Sequence, residues 1–193
     1  LQIYTIKLRQ EFPGQINSIS RRKFVCSAAI HYLCHRRLTP FAMEKTLAIT
    51  YHHFDSLESL PKADKELAQA ARKATEKAFA PYSNFKVGAA ALLRSGEVVS
   101  AANCESEVYP SGMCAERVLL YNLQINHADD PIVAFAIASV PAERECYPCG
   151  SCRQTLLDAQ KRQQSPIRII MSSQESATIV DSAEELLPFS FKL

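Results

Sequence analysis

A layered α/β domain is the fold class this sequence predicts. Short apolar runs rich in Val, Ile and Ala alternate with longer stretches of helical period, and Gly and Pro punctuate the joins. A hydrophobic fraction of 47% in 193 residues suffices for one core with an appendage. The formal charge is only +2, so no global field argues for nucleic acid. No stretch approaches the length of a transmembrane helix. Seven cysteines is an odd number, and a chain of this size needs no disulfide staples. Clustered cysteines here read as reduced thiols and metal ligands, which leads to the expectation of a cytoplasmic setting.

Residues 1–42 look unlike the rest. They carry Arg21-Arg22-Lys23, His35-Arg36-Arg37, Cys26 and Cys34 without a sustained amphipathic period. Ser20-Arg21-Arg22-Lys23-Phe24 resembles a twin-arginine export signal, but the segment after it is too polar for the apolar core of one. The expectation is an accessory or non-native extension over 1–42. Met43 then stands as the natural start of a catalytic part over 43–193.

From Asp64 to Phe79 the period is helical, with Leu67, Ala70, Ala71, Ala74 and Ala78 on one face and charged residues on the other. Pro81 and Asn84 end it. Lys86–Leu93 and Glu97–Ala102 read as strands of a hairpin joined at Arg94-Ser95-Gly96. Cys114 to Asn126 is a helix with Val118, Leu119 and Leu123 inward, and Pro131 introduces a buried strand from Ile132 to Ser139. A second helix runs from Cys149 to Gln160, with Leu156 and Leu157 inward. Ile167–Met171 and Thr178–Val180 read as short strands, and Glu184–Leu187 as a last helical turn. His52, His53 and His127 are expected on the surface, and Cys104 as a small buried residue.

The chemistry lies in Cys114-Ala115-Glu116-Arg117 and, 35 residues after Cys114, in Pro148-Cys149-Gly150-Ser151-Cys152. Three thiolates can hold one zinc ion per subunit and leave its fourth tetrahedral position open. Both sets of cysteines fall at helix N-termini, where partial positive charge favours thiolate over thiol. Residues three apart share a helix face, so Cys149 and Cys152 can reach one ion. Glu116 stands two residues from a ligand, placed to move protons without binding metal. Three thiolates on a dication leave a net charge near −1, so a nearby cation is expected to withdraw charge, Arg117 first and Arg153 second.

Other readings fit parts of this pattern. A redox pair is written in Cys149/Cys152 and again in Cys146-Tyr147-Pro148-Cys149, but it has no use for Cys114 or Glu116. A purely structural zinc site wants a fourth ligand, which Cys146 or Cys104 would supply. A lone Glu116 is a simple helix N-terminal acid.

Cys-x-Glu followed by Pro-Cys-x-x-Cys is the form of the zinc nucleobase-deaminase signature. From about Ala63 to Leu193 the chain resembles the small, homotetrameric cytidine deaminases with an all-cysteine zinc site. The resemblance also rests on Ala80-Pro81-Tyr82-Ser83-Asn84-Phe85-Lys86-Val87-Gly88-Ala89-Ala90, on Asn103-Cys104-Glu105, on Arg153-Gln154 and on Glu185-Leu186-Leu187-Pro188-Phe189-Ser190-Phe191. It implies a three-layer α/β/α sandwich around a five-stranded mixed sheet. It implies that Asn103 and Glu105 bind the ribose 3′-hydroxyl, that Phe85 packs on the pyrimidine, and that the backbone at Ala115 reads the base edge. Tyr109 and Phe191 would reach into a neighbouring subunit's site, making a homotetramer necessary.

The implied reaction is hydrolytic deamination of cytidine and deoxycytidine to the uridines and ammonia, in pyrimidine salvage, with Glu116 as the proton relay. Ser106 and Glu107 depart from the family's usual amide and small residue. A carboxylate at Glu107 would repel a 5′-phosphate, which favours free nucleosides. The alternatives are deamination of a cytosine-containing antibiotic nucleoside, of cytosine in nucleic acid, or a non-enzymatic zinc protein used for assembly. Residues 63–193 lack an aromatic-interleaved basic stripe, so no nucleic-acid partner and no membrane is expected.

Overall fold

The computed structural model describes residues 45–191. The expected extension over 1–42, with its basic clusters, and Met43 as a start lie outside the described residues. Chain contacts divide between Thr46 and Leu47, and Leu47–Leu193 forms a unit of its own.

Nine regular elements build that unit: β1 (His52–Phe54), α1 (Lys62–Ala74), β2 (Lys86–Leu93), β3 (Val98–Ala102), α2 (Ala115–Asn126), β4 (Ile132–Val140), α3 (Gly150–Gln163), β5 (Arg168–Ser172) and β6 (Ala177–Val180). Three-residue 3₁₀ turns lie between them, and a four-residue one follows β6 over Ala183–Leu186. The strands form one sheet in the order β1-β6-β5-β4-β2-β3. Only β4 and β5 pair in parallel; every other neighbouring pair is antiparallel.

Helix α1 covers one face, through Leu67, Ala68 and Ala71 against Ala90, Ala134, Ala136 and Ile170. Helices α2 and α3 cover the other, where Leu119, Leu120, Leu123, Leu156 and Leu157 meet Phe135, Ile137 and Ile169. The three layers match the expected sandwich. The sheet has six strands rather than five, because His52–Phe54 pairs with β6, His53 opposite Thr178. Its three residues show no apolar alternation, so backbone pairing and not side-chain pattern makes this strand.

Three local expectations are corrected. The first helix leaves α geometry at Ala74 and closes through a 3₁₀ turn over Thr75–Lys77, short of Phe79. Thr75 Oγ1 donates to the Arg72 carbonyl at 2.7 Å, and the Phe79 backbone pairs on both sides of Cys104 instead. On α2 the inward face holds Leu120, whereas Val118 is half-exposed. Cys104 is exposed, because its backbone bridges Phe79 and Met113 at the end of the sheet and leaves the thiol outside the core.

The face under α1 is made of small residues, and Gly88 shows why. A Cβ at Gly88 would lie 2.1 Å from the Ala71 carbonyl oxygen and 2.8 Å from the Thr75 nitrogen. The helix backbone approaches the strand too closely for any side chain. At Gly150 the same added atom meets nothing within 4 Å. Gly88→Ala is therefore expected to cost about 3 kcal/mol and to lower Tm by about 6–12 °C, while Gly150→Ala leaves Tm nearly unchanged. Calorimetry on the two variants checks this, and equal melting would contradict the close approach.

Candidate metal centre and active site

The order of the strands brings two helix beginnings together. Strand β2 is antiparallel to both β3 and β4, so β3 and β4 run the same way. Helix α2 follows β3 and α3 follows β4, both on one face, so both start at the same edge of the sheet. Cys114 is the N-cap of α2 and Cys149 the N-cap of α3, each with extended backbone. Neither side chain caps its own helix, which leaves both sulfurs directed by the loops before them. Cys152 is the third residue of α3 and is fully buried.

The three sulfurs lie within 4.8 Å of one another, and Cys149 Sγ is 3.5 Å from Cys152 Sγ. Zinc–sulfur bonds of about 2.3 Å in a tetrahedron put sulfurs about 3.8 Å apart. The Cys149–Cys152 spacing is within a few tenths of an ångström of this, and no pair needs to move by more than about 1 Å to fit. The sulfurs divide charge unequally. The neighbouring Cys152 sulfur and the Arg117 guanidinium bring the Cys114 thiol down to about 5. The Cys152 thiol is pushed up, first by Cys114 and then by burial. Three thiolates this close repel one another unless a positive ion sits among them. Among the described residues no fourth His, Cys, Asp or Glu joins the group. Cys146 lies outside it, a thiol pushed up to about 11 by burial and by the Glu116 charge.

Glu116 is 3% exposed on the first turn of α2. Burial, aided by the Cys114 charge, raises its carboxyl above the ordinary range. Arg117 Nη2 donates to Cys114 Sγ at 3.8 Å, where a withdrawing cation was expected. Arg153 does not share that duty: Nε donates to the Pro148 carbonyl at 2.9 Å and Nη1 to the Leu186 carbonyl at 3.3 Å. It ties the loop before α3 to the turn after β6.

A cavity of about 690 Å³ opens over the sulfurs. That volume is in the range of small-ligand sites. Phe85, Asn103, Glu105, Tyr109, Cys114, Glu116, Arg117 and Cys149 all border it. Ala115 is fully buried and does not border the cavity. Phe191 is 70% exposed and borders a different groove, beside Leu47, Ile49 and Pro188. Ser83, Val87, Met113 and Tyr147 also border the cavity and were not singled out by sequence. The hydrogen bond from Ser83 to Glu105 spans 22 residues, and no periodicity reveals it.

The arrangement has the parts for metal-assisted hydrolysis: a three-sulfur cradle, a buried carboxylate beside it, and room for a flat substrate. Comparison with known proteins agrees. Residues 61–165 match the family model described as the cytidine and deoxycytidylate deaminase zinc-binding region. A cytidine deaminase of Halalkalibacterium halodurans is 39% identical over 92 residues, which are 48% of this chain and 68% of that protein. A probable cytidine deaminase of Dictyostelium discoideum is 29% identical over 122 residues, covering 63% and 79%. The 1.6 Å crystal structure of cytidine deaminase from Burkholderia pseudomallei superposes with a TM-score of 0.59 at 35% identity, over 65% of this chain and 97% of that one. The sulfur cradle, the buried glutamate and the sheet that holds them therefore place this chain in the cytidine deaminase family of zinc-dependent hydrolases.

Proposed function

We propose that the chain deaminates free cytidine and deoxycytidine, with one zinc ion per subunit held by Cys114, Cys149 and Cys152. The observation that carries this reading is the buried Glu116 beside three mutually close sulfurs that have no fourth protein donor among the described residues. A structural zinc site has no use for a buried carboxylate and needs four ligands.

Zinc at this site supplies Lewis acidity that makes water a usable nucleophile near neutral pH. The chain's own residues do the rest. Glu116 accepts a proton from the attacking water and delivers one to ring N3. It then takes the remaining proton from the new C4 hydroxyl and passes it to the exocyclic amino group, so that the C4–N bond breaks, ammonia leaves and a C4 carbonyl forms. The raised affinity of the Glu116 carboxyl for protons suits a group that must both take and return them. Arg117 withdraws charge from Cys114 and limits the excess negative charge of three sulfurs.

Phe85 offers an exposed aromatic face at the rim, in keeping with packing on the pyrimidine. Asn103 and Glu105 take the ribose 3′-hydroxyl; Ala115, buried behind the cavity wall, reaches the base edge only if substrate binding exposes its backbone. Glu107 is exposed beside the cavity residue Ser106, and its charge disfavours 5′-phosphates. Tyr109, 79% exposed at the rim of its own chain's cavity, and Phe191, outside that cavity, serve shared sites in a homotetramer. The cytoplasm and pyrimidine salvage are the setting this chemistry suits. No helix among the described residues is long and apolar enough to cross a membrane. Residues 1–42 are read as an extension dispensable for catalysis.

Four outcomes are expected. Cys114→Ser, Cys149→Ser and Cys152→Ser should each lose bound zinc by elemental analysis, while Cys104→Ser and Cys146→Ser keep it; retention in the first three would reject the site. Glu116→Gln should keep one zinc per chain and lose about 10²–10⁴ in kcat for cytidine, followed by the ultraviolet change on deamination. Turnover near wild type in that variant removes the relay. Arg117→Ala should fold normally and lose about 10-fold to 100-fold in activity or metal affinity. In the same ultraviolet assay, cytidine and deoxycytidine should turn over and a cytosine-bearing oligonucleotide should not. The reverse order would favour a nucleic-acid deaminase.

A further inference from the structure

One hydroxyl outside the metal centre joins the two sides of the cavity rim. Ser83 lies in the loop between α1 and β2. Its Oγ donates to Glu105 Oε1 and accepts from the Phe85 N–H at 3.0 Å. Glu105 Oε2 accepts from the N–H groups of Tyr82 at 2.9 Å and Ser83 at 3.2 Å. Asn84, at φ +56°, makes the reversal that returns the chain to the Ser83 hydroxyl. Asparagine tolerates this left-handed backbone better than most residues. Behind the loop, Asn103 Oδ1 accepts from the Val87 N–H at 2.8 Å, and Asn103 Nδ2 donates to the Phe85 carbonyl at 3.0 Å.

Counting donors shows what remains for a ligand. An ionised carboxylate offers about four acceptor sites on its two oxygens. Three chain donors already occupy Glu105. The Ser83 hydroxyl has one proton, given to Glu105, and one of its two acceptor sites is taken by Phe85. Ser83 therefore has no proton left to donate to a ligand, and Glu105 has about one acceptor site left. The Ser83 hydroxyl, with the Tyr82 N–H after it, holds the Glu105 carboxyl below the usual carboxylate range. Glu105 is thus an acceptor and not a donor near neutral pH.

We infer that Ser83 is a positioning residue. Its single hydroxyl fixes the one open acceptor site of Glu105 and the backbone of Phe85 together, so that the cavity selects a nucleoside whose sugar donates one free hydroxyl. This inference rests on the nucleoside reading above. It also predicts rejection of sugars whose 3′-oxygen is phosphorylated, because such an oxygen has no proton for Glu105 and brings a second negative charge.

The test is steady-state kinetics on wild type, Ser83→Ala, Ser83→Thr, Glu105→Gln and the Ser83→Ala/Glu105→Gln double variant, with cytidine and 2′,3′-dideoxycytidine. Ser83→Ala should raise KM for cytidine about tenfold, with kcat within about twofold, as loss of one hydrogen bond to a charged group implies. Ser83→Thr should restore most of the loss. In the Glu105→Gln background, and with dideoxycytidine, the same Ser83→Ala change should move KM less than about twofold. Carbon-detected NMR of Glu105 should show its titration moving upward in Ser83→Ala. An unchanged KM in Ser83→Ala, or an equal rise with and without Glu105, overturns the inference. A wild-type protein that turns over no cytidine overturns the nucleoside reading and the selection built on it. In that case an unmoved Glu105 titration would also remove the Ser83 contact.

Discussion

Mutual repulsion among three sulfurs is the constraint on which the site depends. Cys114, Cys149 and Cys152 come within 4.8 Å, a spacing that thiolates do not tolerate without positive charge nearby. The fold meets this in two ways. Two helix N-termini point their unpaired N–H groups and partial positive charge at the cluster. Arg117 adds a full charge to the Cys114 sulfur from one turn along the same helix. A divalent ion held among them would complete the neutralisation and supply the Lewis acidity that the proposed role of Glu116 relies on.

Sheet topology makes the convergence possible. Two successive strand–helix–strand crossovers lie on the same face of the sheet, and each helix leaves from the same edge. Ligands of open α/β sheets bind at such an edge, outside the ends of the strands. The antiparallel β2 begins at that edge too, which carries Phe85 and the Ser83 loop to the rim of the cavity. Gly88, three residues into the strand, lets α1 press on its opposite face. One strand thus couples packing on one side of the sheet to the cavity rim at its start.

Much of this was legible in the residues. Strand β2 has the bounds that its apolar run predicted, and both zinc-type helices begin where the cysteines and Pro148 placed them. Arg117 was assigned to the thiolates by its position beside Glu116, and its guanidinium is there. The features that escaped are those made by distant backbone. Strand β1 carries His-His-Phe, which has no pattern to read, and exists because β6 offers it partners. Arg153 was expected near sulfur but is spent on two carbonyls, since its direction on α3 depends on the turn after β6. Ser83 and Glu105 meet across 22 residues through a loop whose reversal at Asn84 has no period at all. Local signals pointed to the three clustered cysteines because all of them sit at helix starts, whereas the far rim of the cavity is assembled from loops.

The most direct measurement of the central claim is zinc K-edge X-ray absorption on the purified protein. Extended fine structure should fit three sulfurs at about 2.3 Å and one oxygen or nitrogen at about 2.0 Å, and the edge should change when a pyrimidine ligand is added. A shell of four sulfurs, or a protein that retains no zinc, would contradict the account.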